Sequence, residues 1–130
     1  MTGDNMANNI KEEIGRGQES LRAAEVLIHH RLFNDAISRS YYAALHYARA
    51  LLLRRGIEAK SHHGVAQLIN LHFVKDGPMS KAVAADFSQL QSFRELSDYN
   101  AGAEFTEDQA REELIRAQAF IRACEALLNA

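Results

Sequence analysis

The residues best suited to chemistry cluster in RELSDYN, Arg94 to Asn100. Val83, Phe87 and Leu90 mark the apolar line of a helix, and Arg94 takes the next heptad-spaced place on it. A guanidinium on an inward line must be paired, or must face a cavity or a partner, because burying the charge alone is prohibitive. Asp98 stands four residues on, so the two share one helix face and can pair. Tyr99 and Asn100 emerge beside them at the helix end. Two readings follow. In one, Asp98 neutralises a buried arginine and Tyr99 is a packing cap. In the other, the carboxylate holds an anion-binding arginine in place, with Tyr99 and Asn100 available to a ribose, base or phosphate.

A second group lies on the segment from Phe33 to Arg55. Arg39, Tyr42, His46 and Arg49 recur at 3-4-3 spacing beside an apolar seam of Ile37, Tyr41, Ala44, Ala48 and Leu51. Tyrosine and arginine are enriched at contact surfaces, so this stripe is expected to border a cleft or a partner. The plainer alternative is that their stems cover the edge of a core. The histidine pairs His29-His30 and His62-His63 place neighbours on diverging directions of a helix. With no Glu-x-x-His, no HExxH and no paired cysteines, neither a metal nor another cofactor is expected. Gly-rich phosphate loops and a GxSxG elbow are also absent.

The elements that must position these groups are helical. Residues 1–9 lack periodicity and read as a flexible tail ahead of a single domain over 10–130. Ile10, Ile14, Leu21, Ala24 and Ile28 predict a first helix to about His30, weakened early by Gly15 and Gly17. The central helix runs over 33–55, with Asn34 or Asp35 as its cap and Gly56 as its stop. Ser61 caps a third helix to about Phe73, Lys75-Asp76-Gly77-Pro78 breaks the chain, and Ser80 caps a fourth to about Asp98. Thr106 with Glu107, Asp108 and Gln109 opens the last helix. Its seam is Ala110, Leu114, Ala117, Ile121, Cys124 and Leu128. The fold class is all-α: an up-and-down bundle of four or five helices.

Composition narrows the function classes. A chain of 130 residues supports one core, and its single cysteine makes no internal disulfide. No apolar run approaches the roughly 20 residues that cross a bilayer, so a cytoplasmic protein is expected. The net charge of -2 gives no global basic field, which confines any nucleic-acid binding to a local cleft.

The segments DAISRSYYAALHYARALLLRRGI, SHHGVAQLINLHFVKDG, RELSDYN and FTEDQAREELIRAQAFIRACEALL, in that order, resemble the HEPN domain family of small prokaryotic helical bundles. The resemblance covers about residues 10–129. It implies a homodimer, and often a minimal nucleotidyltransferase partner in a toxin–antitoxin pair. Active HEPN ribonucleases place four to six residues between an Arg and a His, for metal-independent attack by the ribose 2′-hydroxyl. Arg94 matches that arginine, but four intervening residues lead to Tyr99 and five to Asn100, and no His follows in range. Asn cannot titrate, and an unperturbed Tyr has a pKa of about 10. The RxxxDY form resembles a branch lacking the catalytic His. The expectation is therefore a module binding RNA, a nucleotide or a partner through Arg39, Tyr42, Arg94, Asp98, Tyr99 and Asn100. The alternatives are a metal-independent endoribonuclease using Arg94 with His46 or Tyr99 as acid–base, and a structural bundle with Arg39, Arg94 and Asp98 in one buried ion network.

Overall fold

The computed structural model describes residues 3–100 and 102–130, and only the backbone of residues 3 and 4. It is an all-α bundle: α1 Gly3–His29, α2 Phe33–Arg54, α3 His62–Ile69, a π-helical turn Asn70–Val74, α4 Lys81–Tyr99 and α5 Glu107–Leu128. α2 packs against α1, α3, α4 and α5 and is the central element. Its seam residues Ile37, Tyr41, Ala44, Ala48 and Leu51 are all buried. Ion contacts tie matching ends of α2 and α5, from Arg31 to Glu107 at 3.2 Å and from Arg54 to the Ala130 carbonyl at 2.9 Å. These two helices therefore run parallel, while the short connections reverse α1 against α2 and α4 against α5. The order is up-down-up-down with α3 as a short crossing piece.

A run of stacked rings crosses the core. Tyr41 of α2 stacks on Phe87 of α4 with centroids 6.0 Å apart, and Phe87 stacks on Phe120 of α5 at 4.9 Å. Cys124 is fully buried beside this stack, and burial pushes its thiol well above the ordinary range, as suits a core residue.

The structure corrects three sequence expectations. Residues 3–9 are not a tail apart from the domain, because α1 begins at Gly3 and they form its first turns; residues 1 and 2 lie outside the described residues. The third helix does not stay α-helical to Phe73. Its hydrogen bonding widens after Ile69, and Lys75 N–H closes onto the Asn70 carbonyl at 2.9 Å. That wider turn keeps both Ile69 and Phe73 in the core. Finally, α2 starts at an N-cap Leu32 with no side-chain cap. Asn34 reaches across the fold instead, donating to the Ala103 carbonyl at 2.8 Å and accepting from Phe105 N–H at 3.0 Å. The other caps form as read, with Ser61 accepting from Gly64 N–H, Ser80 from Val83 N–H, and a reciprocal box between Thr106 and Gln109.

Candidate functional site

Arg94 lies where the last turns of α4 meet the tyrosines of α2. Its side chain is 21% exposed, with Nε 2.8 Å from Asp98 Oδ2 but not aligned as a hydrogen bond. Nη2 donates to the Tyr42 hydroxyl at 3.0 Å. The guanidinium carbon sits 5.6 Å from the Tyr41 ring centre and 5.5 Å from that of Tyr42, so two aromatic faces and one carboxylate offset the loss of water. Nη1 makes no hydrogen bond to a described residue. The arginine is thus both paired, as the i and i+4 spacing predicts, and partly open.

The other sequence candidates divide around it. Tyr42 and Asp98 touch Arg94 directly. Tyr99, at the end of α4, is 86% exposed and makes no recorded contact with the guanidinium. Asn100 accepts from Gly102 N–H at 3.1 Å, which shapes the loop. Arg39 is exposed on the rim of a shallow concavity with Leu27, Asp35, Ser38 and Tyr42, and makes no ion pair among the described residues. No hydrogen bond or ion pair joins Arg39 to Arg94 and Asp98, so the buried network of all three does not form among the described residues. His46 turns toward α1, where its Nδ1 lies 2.7 Å from Glu13 Oε2. Burial acts to raise the Glu13 carboxyl, yet the hydrogen bond and charge of His46, with Arg49 and Arg16 nearby, hold it below the usual range. Arg49 also edges a cleft of about 230 Å³ between α1, α2 and the segment after α2, floored by Leu52, Leu53 and Ile57.

One residue escaped the sequence reading as a candidate here. His62, the first residue of α3, places its ring 6.1 Å from Tyr41 and 6.0 Å from Tyr42, against the same two rings that carry Arg94. Burial, then the charges of Arg49 and Arg94, hold its imidazole below the ordinary histidine range. Its neighbour His63 is fully engaged. The Gln91 amide donates to its Nδ1 at 2.9 Å, so the neutral ring carries its proton on Nε2, 3.1 Å from Glu95. The signal was present in SHHG, since a Ser cap fixes the direction of the first helical turn, but the distance to Arg94 is set by tertiary packing.

The groups gathered in this region are an arginine held by a carboxylate, two tyrosines and an imidazole. Among the described residues no group of three His, Cys, Asp or Glu is placed to hold a metal ion, and no helix is long and apolar enough to cross a membrane. The fold and site define a small helical-bundle protein with a partly exposed arginine seated on two tyrosines at its helix seam. The chain belongs to the HEPN domain family, which it matches over residues 10–127. It is 32% identical over 117 residues to a toxin candidate of Methanocaldococcus jannaschii, covering 87% of each chain. A UPF0332 protein of Thermotoga maritima is 31% identical over 114 residues, covering 88% of this chain and 86% of that one. Two solved structures share the fold at 19% identity. TT1696 from Thermus thermophilus has a TM-score of 0.80, with 92% of this chain and 98% of that one covered. ST0689, an archaeal HEPN homologue, has a TM-score of 0.73, with 90% and 95% covered.

Proposed function

We propose that this chain is the RNA- or nucleotide-binding HEPN component of a toxin–antitoxin type system, working as a homodimer beside a minimal nucleotidyltransferase. The toxin designation of its Methanocaldococcus relative supports the system; the dimer and the nucleotidyltransferase rest on the family resemblance. The observation that carries the binding role is the state of Arg94. Its charge is oriented by Asp98 and Tyr42, yet Nη1 makes no hydrogen bond to a described residue, and Tyr99 at the end of the same helix is exposed. An arginine so placed suits a phosphate oxygen, and exposed tyrosine suits a stacked base.

The test is binding of labelled single-stranded RNA and of AMP by the wild-type protein and Arg94→Ala, in excess EDTA, with the RNA recovered for length analysis. Binding is expected to fall at least tenfold in the variant. The fold should lose only about 1 kcal/mol, because the stranded Asp98 is 40% exposed and keeps its water. Unchanged binding in Arg94→Ala defeats this reading. Cleavage in EDTA that needs Arg94 replaces it with the ribonuclease reading.

A further inference from the structure

Three histidines surround the tyrosine pair of α2, and their commitments differ. His46 gives Nδ1 to Glu13, and His63 has both ring nitrogens engaged by Gln91 and Glu95. His62 has neither nitrogen hydrogen-bonded to a described residue, although it is half-buried and packed against Tyr41 and Tyr42. An imidazole packed against two rings, with neither nitrogen bonded among the described residues, has directed hydrogen-bonding capacity that they do not use. Against the same two rings, 5.6 and 5.5 Å from their centres, stands the guanidinium of Arg94, whose Nη1 likewise makes no hydrogen bond to a described residue.

We propose that His62 and Arg94 are two arms of one phosphate-binding site, and that His62 takes up a proton when a phosphate-bearing ligand binds. This rests on the reading of Arg94 as an anion-binding arginine. The charges around His62 give the reason. From α2 it faces Tyr41, Tyr42, His46 and Arg49; from α4, Arg94; within α3, His63. The carboxylates that meet these groups are matched, Glu13 of α1 to His46, Glu95 to His63 and Asp98 to Arg94. Burial first, and then the positive charge of Arg49 and Arg94, hold the imidazole below the ordinary histidine range in the free site. A phosphate reverses the local sign, and protonated imidazole then offers a second N–H to it. One proton passes from solvent to the ring per ligand bound, and no bond is broken.

The experiment is the pH dependence of binding of AMP and of short single-stranded RNA to wild type, His62→Gln and Arg94→Ala. Wild-type affinity should fall by about tenfold per pH unit where only the bound form holds the proton. The His62→Gln profile should lack that slope and meet the wild-type curve at high pH. Carbon-bound proton resonances of the His62 ring, followed by NMR in the wild-type protein, should titrate at higher pH with AMP present. Equal slopes in wild type and His62→Gln, or a His62 titration that AMP leaves in place, overturn the proposal. If Arg94→Ala still abolishes binding in that case, the anion-site reading survives; if it does not, both fall. Binding of RNA without AMP would assign the site to a phosphodiester rather than a terminal phosphate.

Discussion

At the scale of single residues, two charged side chains occupy inward lines, and the fold handles them differently. Arg94 stays near the surface and trades water for two aromatic faces, a hydroxyl and a carboxylate. Glu113 on α5 is only 1% exposed; Arg116 donates to its Oε2 at 3.0 Å, while Oε1 is buried with no partner. Burial raises its carboxyl above the ordinary range, outweighing the pull of Arg116, and Glu112 and Asp86 add to the rise. Because the folded value is raised, the stabilising contribution is full below the ordinary glutamate range and is lost as pH rises through the folded value. Glu113→Gln keeps an acceptor for Arg116 without the charge. It should match wild type near pH 4 and exceed it at pH 8 by on the order of 1 kcal/mol. Urea unfolding at the two pH values checks this; a variant weaker at pH 8 than at pH 4, relative to wild type, would mean that the Arg116 pair outweighs burial.

At the scale of elements, two glycines inside α1, Gly15 and Gly17, look alike in the sequence and have opposite roles in the bundle. Gly15 faces open space, so a methyl group there meets nothing. At Gly17 a Cβ would stand 2.7 Å from the Tyr47 ring and 3.3 Å from the Ala43 carbonyl, so the missing side chain is what lets α1 approach α2. Gly15→Ala is expected to stabilise the protein by about 1 kcal/mol through helix propensity. Gly17→Ala should destabilise it by about 1–3 kcal/mol through overpacking. Thermal unfolding of both variants, read for opposite shifts in Tm, decides the matter. The same contrast marks what the sequence carried at this scale. Periodicity located five helices, and Ser61, Ser80 and Thr106 announced their caps because those interactions are local. Asn34 bonds away from its own helix start, to partners about seventy residues on in the loop before α5, which no local pattern encodes. The α5 seam was read with Leu114, whereas Glu113 is the more buried neighbour, because its pairing with Arg116 permits a carboxylate where the pattern favours an apolar residue.

At the scale of the whole molecule, the candidate site was legible only in part. The spacing of Arg94 and Asp98 predicted their pairing, and the stripe of α2 supplied Tyr42, but stripes fix a direction from one helix and not what crosses from the next. Hence His46 falls to Glu13 of α1, and His62 enters from α3. What the full chain adds is charge. With a net charge of -2 it repels nucleic acid at long range, so attraction must come from the few cations gathered around the tyrosine pair, Arg94 and Arg49 with His62 when protonated. Each phosphate neutralised on a single strand lowers log K by about 0.7 per tenfold rise in salt. Two or three such contacts give a slope of about -2 for a short RNA. The slope should shrink by about 0.7 in Arg94→Ala wherever binding is still measurable. Fluorescence anisotropy across a salt series at fixed pH provides the measurement. A slope of about -4 or steeper for a decanucleotide would demand about six phosphate contacts, more than these cations can make. The binding surface would then have to lie elsewhere on the chain or be completed by a second copy of it.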